Sequence, residues 1–365
     1  MQFSVFHIAM GKGRQSDRQV YDDFLSDITL AEQLGFDTFW LAEHHFNSNF
    51  SMSPSPNVLL AAAAVMTKRM KIGTAINVLP FHNPVRLAEE GAMLDLLSNG
   101  RFQWGIGRGI TGHEFHGFGI DPSESLARFR EIHDFVLNAW KTGEMKWDGQ
   151  FIKVPAGIDL APAITQRPHP PIWVTAQSPS SVEWAAERGY PAMQVAETLE
   201  SSRVQLARYR AAAQRAGMKP DSRGEIVPSR YVYVADTEKQ AREVGGKQIT
   251  DWWHEFTAIA APKPETALTK GYEYWQDAKT SFKKRTGGMS FEELIETGVI
   301  IVGTPHQVIR QIERQVDAFA AKHIMCDFWR AGKAREDRQH SMTLFGQKVI
   351  PYFNAGNVSA IEASA

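Results

Sequence analysis

The chain has 365 residues, of which 43% are hydrophobic and 22% charged, and its formal net charge is -1. This near-neutral balance argues against nucleic acid or an anionic membrane as a partner, and no apolar stretch reaches the roughly 18 residues of a membrane span. Because Cys326 is the single cysteine and no signal-like segment follows Met1, we expect a cytoplasmic protein without internal disulfides or thiolate metal sites.

Strand-like and helix-like segments alternate along the chain. Apolar runs predict eight strands: Phe3–Ile8, Thr38–Ala42, Lys71–Leu79, Arg101–Ile106, Pro171–Ala176, Ala192–Glu197, Glu225–Ala235 and Ile324–Trp329. Helical spacing and end signals predict helices between them, such as Asp17–Leu34, which ends at Gly35. This alternation predicts an α/β protein with a closed (β/α)8 TIM barrel, built as one domain over residues 1–365. A doubly wound sheet is the alternative, but we locate no switch point in the strand order.

One connection is longer than a minimal barrel requires. Residues from about 237 to 323, between the seventh and eighth predicted strands, contain more than one helix. Within them, 280–289 is basic and includes the pair Gly287 and Gly288. Long insertions at barrel loops form lids or binding loops, although some are decoration. We favour a mobile lid at 280–289.

The most informative stretch is 35–46, with the sequence GFDTFWLAEHHF. Its apolar run stops abruptly at Glu43, His44 and His45. Barrel enzymes place their catalytic groups at the carboxyl ends of the strands, and histidine suits acid–base chemistry near neutral pH. The stretch therefore indicates the wall of an active site; the alternative is a polar loop that happens to hold two histidines.

Two further strand ends carry groups suited to phosphate. After the fourth predicted strand, Gly105–Gly109 is a glycine-rich turn from which Arg108 is expected to project into the site. The turn does not open a helix directly, so we reject a dinucleotide-binding fingerprint. After the fifth strand, Ser178 and Ser181 lie at the start of a helix, where hydroxyls and free N–H groups bind phosphate. Ordinary N-capping by these serines is the competing interpretation.

The sequence does not predict a metal site. His44 and His45 are adjacent, so on an extended segment they point to opposite faces. His113 and His116 are three positions apart, but their glycine-rich surroundings do not predict the regular helix that zinc motifs of this type use. We therefore expect a site without a catalytic metal.

Taken together, these segments resemble the bacterial luciferase-like family of flavin-dependent monooxygenases over nearly the whole chain. The motifs that carry the resemblance are GFDTFWLAEHHF at 35–46, KIGTAINVLPFHNPVRLAE at 71–89, GRFQWGIGRG at 100–109, VGTP at 302–305 and SMTLFGQKVIPYF at 341–353. Their order and spacing are specific for the fold and for flavin use, but not for the substrate.

The resemblance implies that FMN, in its reduced form FMNH2, binds at the carboxyl ends of the barrel strands. By position, His44 corresponds to the family's catalytic histidine, and Ala75 and Ile76 to a non-prolyl cis peptide that supports the flavin ring. The other implied cofactor-binding residues are Arg108, Ser178 and Ser181 at the phosphate, and Thr175, Ala176 and Gln177 beside the ring.

The implied reaction has two components. A separate NAD(P)H:flavin reductase supplies FMNH2, since no second domain for NAD(P)H is evident, and a flavin peroxide formed with O2 oxygenates a small organic substrate. Gly107, Thr111 and Gln177 stand where luciferase has a cysteine, a tyrosine and a glutamate, so the resemblance does not extend to light emission or a long-chain aldehyde substrate.

Two alternative functions and the oligomeric state complete these expectations. A deazaflavin-dependent dehydrogenase of the same superfamily would move a hydride without oxygen, and a non-catalytic flavin-binding subunit would lack turnover altogether. We also expect a homodimer. The run Ala61–Ala64 fits a dimer face or a buried contact within one chain equally well.

Overall fold

The structure is a computed structural model that describes residues 1–13, 16–219, 224–259, 272–273, 286–328 and 334–355. The strands within these residues are β1 (Gln2–His7), β2 (Thr38–Leu41), β3 (Lys71–Thr74), β4 (Asn77–Val78), β5 (Phe102–Gly107), β6 (Trp147–Asp148), β7 (Lys153–Val154), β8 (Ile172–Thr175), β9 (Ala192–Val195), β10 (Ile226–Val234), β11 (Ile300–Gly303) and β12 (His323–Asp327). The α-helices are Asp17–Leu34, Pro56–Met66, Pro84–Leu97, Gly112–Gly117, Ser125–Thr142, Pro179–Ala186, Leu199–Arg215, Glu238–Gln240, Lys247–Ile259, Phe291–Glu296, Pro305–Phe319, Arg335–Leu344 and Ile350–Asn354.

Eight of the described strands form a closed parallel barrel. Their order around the barrel is β1, β2, β3, β5, β8, β9, β10 and β12, after which β12 pairs with β1 again. Helices connect successive strands and cover the outside, because parallel strands need a crossover that returns the chain to the end of the barrel at which the strands begin. The predicted (β/α)8 barrel is confirmed.

The barrel interior is packed with side chains because strand residues alternate between the inside and the helix-facing layer. In β2, Trp40 belongs to the inner cluster, whereas Phe39 and Leu41 pack toward the helices. The Trp40 ring meets the Trp173 ring from β8 edge-on, with centroids 4.9 Å apart. A Cβ atom on Gly73 would lie 2.2 Å from the Trp40 ring, so β3 needs glycine at this position.

Two segments differ from the sequence-based expectation. The strand predicted at 71–79 is interrupted by a cis peptide bond between Ala75 and Ile76, and both of its parts, β3 and β4, pair with β5. The region from 237 to 323 also contains a strand, β11, that was not predicted. The nine-residue β10 pairs with β9 through its first residues and with β11 through its last, which gives the apolar run at 300–303 a place in the sheet.

Parts of two predictions lie outside the described residues. Residues 280–285 of the predicted lid are among them, and so is Trp329, the last residue of the eighth predicted strand. Of the remaining lid residues, Thr286 is buried and its carbonyl oxygen accepts a 2.8 Å hydrogen bond from Nε1 of Trp253. The lid therefore stays a prediction.

A buried ion pair joins the first long helix to a helix near the end of the described chain. Arg338 donates to both carboxylate oxygens of Asp27, over 2.7 Å from Nε and 3.1 Å from Nη2, and both side chains are 1% exposed. Burial alone would raise the pKa of Asp27, but the charges and hydrogen bonds of Arg338 and His7 hold it below its ordinary value of 3.8.

We predict that Asp27→Asn lowers the free energy of unfolding by about 3–5 kcal/mol near neutral pH, because the buried guanidinium then loses its strongest partner. Since folding lowers the pKa of Asp27, its contribution is present above pH 3.8 and is lost as the pH falls through the folded-state value. Urea unfolding at several pH values measures both effects.

The matched control is Asp22→Asn on the same helix. Asp22 pairs with Arg18 at the surface, where 42% and 80% of the two side chains are exposed, so its loss should stay within about 1 kcal/mol. Equal effects of the two substitutions would show that the buried pair contributes no more than a surface pair.

Candidate active site

A cavity of about 250 Å³ lies at the carboxyl ends of the barrel strands. Residues at or just after the carboxyl ends of β1, β2, β3, β5, β8 and β9 line it, together with parts of helices Ser125–Thr142 and Lys247–Ile259. The cavity-lining residues include eight that the sequence analysis assigned to the site: His44, Ala75, Ile76, Arg108, Thr175, Gln177, Ser178 and Ser181.

The structure places Ala176 differently from the other assigned residues. Its side chain is fully buried in the layer between the strands and the helices and does not line the cavity. The reason is the alternation along the extended chain, which turns Thr175 and Gln177 toward the cavity and the residue between them away from it.

The His44 imidazole is held by a buried carboxylate. Its Nδ1 lies 3.1 Å from Oε1 of Glu114, which also accepts a 2.9 Å hydrogen bond from the backbone N–H of His45. Burial alone would raise the pKa of Glu114, but hydrogen bonding and charge interaction with His44 hold it below its ordinary value of 4.5. An ionised carboxylate only accepts hydrogen bonds, so Nδ1 of His44 carries a proton and Nε2 of the neutral ring is an acceptor.

A second buried carboxylate, Glu43, organises the neighbouring wall. Oε1 of Glu43 lies 3.1 Å from Nε2 of His45, and Oε2 lies 2.7 Å from Nε2 of His82. The backbone N–H of Val78 also donates to Oε2 over 3.2 Å. Burial alone would raise the pKa of Glu43 and lower that of His82, but their mutual attraction lowers the first from 4.5 and raises the second from 6.5. Through Val78, Glu43 fixes the segment that follows the cis peptide.

We predict that the stabilising effect of the His82–Glu43 pair depends on pH. Folding raises the pKa of His82, so its contribution is complete below pH 6.5 and is lost as the pH rises through the folded-state value. Folding lowers the pKa of Glu43, so its contribution is present above pH 4.5 and is lost as the pH falls. The stability difference between wild type and His82→Gln should therefore be largest between these two values and shrink in alkaline solution.

Urea unfolding at about pH 5.5 and about pH 8.5 measures this difference. His340→Gln is the control, since His340 pairs with Asp236 at the surface. A difference for His82→Gln that does not change between the two pH values would contradict the charge-pair interpretation.

Arg108 is oriented by an aromatic ring. Its guanidinium lies over Tyr272, 3.9 Å from the ring centroid. The Tyr272 hydroxyl donates to the carbonyl oxygen of Gly109 over 2.9 Å and lies 3.2 Å from Oγ of Ser125. Because Ser125 is the first residue of helix Ser125–Thr142, these contacts place the guanidinium beside the start of that helix.

Arg130, on the same helix, also lines the cavity and was not predicted from the sequence. Its neighbour Phe129 packs against Trp184 with ring centroids 5.1 Å apart, so the helix lies next to helix Pro179–Ala186. Arg108, Arg130 and the serines from Ser178 to Ser181 define what we call the basic end of the cavity. The cavity wall therefore includes two guanidinium groups and a helix N-terminus, both of which favour an anion such as phosphate.

Ser178 and Ser181 form a capping box. The backbone N–H of Ser181 donates to Oγ of Ser178 over 3.2 Å, and the backbone N–H of Ser178 donates to Oγ of Ser181 over 3.0 Å. The competing interpretation, N-capping, therefore describes what these hydroxyls do here. Both serines still line the cavity, so capping and ligand binding do not exclude each other.

Gln177 presents an unused acceptor. Its Nε2 donates to the carbonyl oxygen of Val195 over 3.0 Å, which fixes the orientation of the amide because a carbonyl only accepts. Oε1 is buried and accepts no hydrogen bond from any residue in the described ranges. A buried acceptor of this kind is costly unless a ligand or water donates to it.

The other end of the cavity is aromatic. Phe50 and Phe256 line it, and the Phe50 ring meets the His44 ring edge-on with centroids 4.6 Å apart. The Phe50 ring is close to parallel with Trp252, at 14°, and with Phe256, at 17°, with centroids 6.1 and 6.3 Å away. We call Phe50, Trp252 and Phe256 the aromatic end.

Ile76 explains why glycine stands at position 107. A Cβ atom on Gly107 would lie 1.9 Å from Cδ1 of Ile76. Any other residue at 107 therefore needs a smaller or displaced side chain at 76. The bond between Ala75 and Ile76 is cis, as the resemblance implied.

Three of the histidines considered for a metal, His44, His45 and His113, make other contacts. His113 and His116 lie on a short helix, Gly112–Gly117, which the glycine-rich sequence did not predict. Nε2 of His113 lies 3.2 Å from the carbonyl oxygen of His45. Among the residues that the structure describes, no three His, Cys, Asp or Glu side chains are arranged to hold a metal ion. No helix in those same residues has the length and apolar character to cross a membrane.

Comparison with known proteins gives a family for this fold and site. The sequence profile of the luciferase-like monooxygenases matches residues 1–352. The chain belongs to this family. It is 30% identical to an alkanal monooxygenase alpha chain of Photorhabdus luminescens over 362 residues, which are 96% of this chain and 97% of the relative.

Two further relatives of this luciferase-like chain extend the comparison. The oxygenase component of a flavin-dependent trigonelline monooxygenase from Acinetobacter baylyi is 33% identical over 263 residues, 71% of each chain. The crystal structure of monooxygenase RslO1 from Streptomyces bottropensis is 30% identical, with a TM-score of 0.80 over 97% of this chain and 100% of that one. All three relatives are named as monooxygenases, and the Acinetobacter relative is named as flavin-dependent.

Sequence reasoning missed several residues around the cavity of this luciferase-like protein. Glu114 was not predicted to belong to the site, although it stands between His113 and His116, the two histidines considered for a metal. Arg130 and Phe256 lie on helices whose sequences show no signal that separates a cavity-facing position from a surface or core position.

Proposed function

We propose that this protein is the oxygenase component of a two-component monooxygenase that uses FMNH2 and O2 to oxygenate a small organic substrate. The observation that carries the proposal is that one cavity is lined both by two guanidinium groups, of Arg108 and Arg130, and by the rings of Phe50 and Phe256, with His44 in contact with Phe50. An anionic cofactor and an apolar substrate need these two environments side by side.

The residues present fit FMN. Its phosphate matches the two guanidinium groups and the helix N-terminus of the basic end. Its ring N–H or ribityl hydroxyls match the unused acceptor Oε1 of Gln177. Its flat ring matches the apolar wall that Ala75, Ile76 and Val174 contribute to the cavity.

When bound, reduced FMN supplies the electrons that activate O2. The protein's own residues bind and orient the cofactor, transfer a proton and exclude water. Arg108 and Arg130 bind the phosphate and so orient the cofactor. Nε2 of His44 accepts or returns a proton at the substrate oxygen, while Glu114 keeps the proton on Nδ1. The aromatic end excludes water from the reacting groups.

The decisive experiment supplies purified protein with a flavin reductase, NAD(P)H, FMN and labelled ¹⁸O2. Incorporation of one labelled oxygen atom into an organic product supports the proposal. Turnover only with a deazaflavin, without O2 consumption, would instead support the dehydrogenase alternative. Absence of turnover with any flavin, despite binding, would support a non-catalytic subunit.

A separate reductase is part of the proposal. The Acinetobacter relative carries the name of an oxygenase component, which supports a division of labour between oxygenation and flavin reduction. This division requires that the oxygenase accept FMNH2 from solution or from the reductase. Oxygenation that depends on added FMN and on any active flavin reductase would agree with it.

We predict that the basic end of the cavity binds the phosphate group of FMN. Arg108→Met and Arg130→Met should each weaken FMN binding by about 10- to 100-fold, because a charge-assisted hydrogen bond contributes about 1.5–3 kcal/mol. Riboflavin, which lacks the phosphate, should lose far less affinity. Fluorescence titration with both flavins measures the difference.

Arg128→Met is the matched control on the same helix, since Arg128 pairs with Glu124 and does not line the cavity. Its flavin affinities should stay near wild type. Equal losses of FMN and riboflavin affinity in Arg108→Met and Arg130→Met would show that these residues maintain the shape of the cavity and do not bind the phosphate.

We predict that His44 is needed for oxygenation more than for folding or flavin binding. His44→Ala should keep the melting temperature and FMN affinity near wild type, because the side chain lies at the cavity rather than in the core. O2 consumption should then yield mainly hydrogen peroxide. The measurement is the ratio of oxygenated product to peroxide; a variant that fails to fold would make His44 a structural residue.

We infer that the protein forms a homodimer through helices Pro56–Met66 and Pro84–Leu97. The first helix has no charged residue, and its Val58 and Val65 are 69% and 58% exposed. Met93, Leu96 and Leu97 of the second helix are also exposed. A helix that is apolar on all sides is typical of a buried one, and a two-fold axis covers the same patch on both copies.

We predict that Val65→Glu converts a dimer into a monomer, because it buries a charge at the centre of this apolar face. Light scattering during gel filtration distinguishes one chain of 40.9 kDa from two. Val204→Glu is the control, since Val204 is equally apolar and 50% exposed on a different helix. A wild-type monomer, or a Val65→Glu dimer, would contradict the assignment.

A further inference from the structure

The aromatic end of the cavity favours a flat ligand. The Phe50 ring is close to parallel with the Phe256 ring, at 17°, and with the Trp252 ring, at 14°, whereas the Trp252 and Phe256 rings are tilted by 30° from each other. A planar ring can lie against Phe50 and Phe256, which line the cavity, and gain stacking in addition to apolar burial. A flexible chain gains the burial but loses conformational freedom on binding.

The charges around the aromatic end disfavour an ionised ligand. Among the described cavity-lining residues, Arg108 and Arg130 belong to the basic end, where the FMN phosphate is proposed to bind. Near His44 the charged groups are the carboxylates of Glu43 and Glu114, which already bind histidines and a backbone N–H. Glu43 is paired with His82, so a substrate carboxylate at this end would chiefly meet the like charge of Glu114, in a partly buried cavity.

His44 is a polar group of the cavity wall that directly contacts the aromatic end. Because Glu114 holds the proton on Nδ1, Nε2 of the neutral ring accepts hydrogen bonds. The Phe50 ring lies edge-on to this imidazole with centroids 4.6 Å apart. A ring that stacks on the aromatic end therefore has a hydrogen-bond acceptor beside it.

We propose that the substrate is an uncharged aromatic or fused-ring compound with a hydroxyl group, which stacks on Phe50 and Phe256 and donates its O–H to Nε2 of His44. The proposal rests on the proposed function for the position of FMN in the same cavity. It concerns recognition of the substrate and holds for any oxygenation that follows.

The experiment measures binding to protein that is first saturated with oxidised FMN, by calorimetric titration with four probes. 1-Naphthol carries the ring and the hydroxyl, 1-methoxynaphthalene lacks the donor, 1-naphthoate adds a negative charge, and decanal is a flexible chain. We expect 1-naphthol to bind about fivefold or more tightly than each of the others, as one hydrogen bond or one stacking contact provides.

Variants assign this preference to particular side chains. Phe50→Leu and Phe256→Leu should weaken 1-naphthol binding by about three- to tenfold and leave decanal binding unchanged, since leucine keeps the apolar surface without the stacking face. His44→Ala should abolish the difference between 1-naphthol and 1-methoxynaphthalene. Phe151→Leu is the matched control, because Phe151 stacks with Arg128 away from the cavity.

The outcomes separate this inference from the proposed function. Tight FMN binding with decanal or 1-naphthoate bound as strongly as 1-naphthol would overturn the substrate class and leave the function intact. Release of FMN by 1-naphthol would also overturn it, because the ring would then occupy the flavin position. If FMN fails to bind, the proposed function fails, and titration of the protein alone, with the same Phe50→Leu and Phe256→Leu variants, still decides the ring preference.

Discussion

The cavity depends on two carboxylates that are buried where the barrel strands end. Glu114 fixes the His44 ring, and Glu43 binds two other histidines and the backbone after the cis peptide. Burial works against both negative charges, so each carboxylate persists only because several donors surround it. The same bonds that satisfy the carboxylates hold the wall in place, which couples the protonation of this region to the shape of the cavity.

The barrel makes such an arrangement possible by joining distant segments. Glu43 and Glu114 are 71 positions apart in the chain, yet the parallel strands bring their ends to one rim. The inner layer, filled by Trp40 and Trp173, leaves the cavity beyond the strands rather than through the barrel. The residues at the rim can therefore supply both basic and aromatic side chains without any change in the packed interior of the barrel.

The sequence allowed the fold to be predicted because its signals are local. Gly35 ends a helix, the apolar runs mark strands, and their alternation leaves few topologies. It also located most of the rim, because the residue after a buried strand must lie there. Arg130 and Phe256 escaped prediction because they reach the cavity from helices, and only the packing of those helices decides which face turns inward. Ala176 was assigned to the site wrongly for a different reason. A family motif can include a residue whose side chain the pleat of the strand turns away from the cavity.

Ile76 and Gly107 show how two side chains of the cavity wall constrain each other. The Ile76 side chain occupies the space next to Gly107, so a larger residue at 107 requires a smaller or displaced side chain at 76. Ile76 lies between β3 and β4, and Gly107 is the last residue of β5, so residues of two different motifs are coupled by direct steric contact. Such exchanges reshape the wall without touching the basic end or His44. The shape of this wall and the positions of Arg108, Arg130 and His44 are thus set by different residues, so the wall can change while those three side chains stay in place.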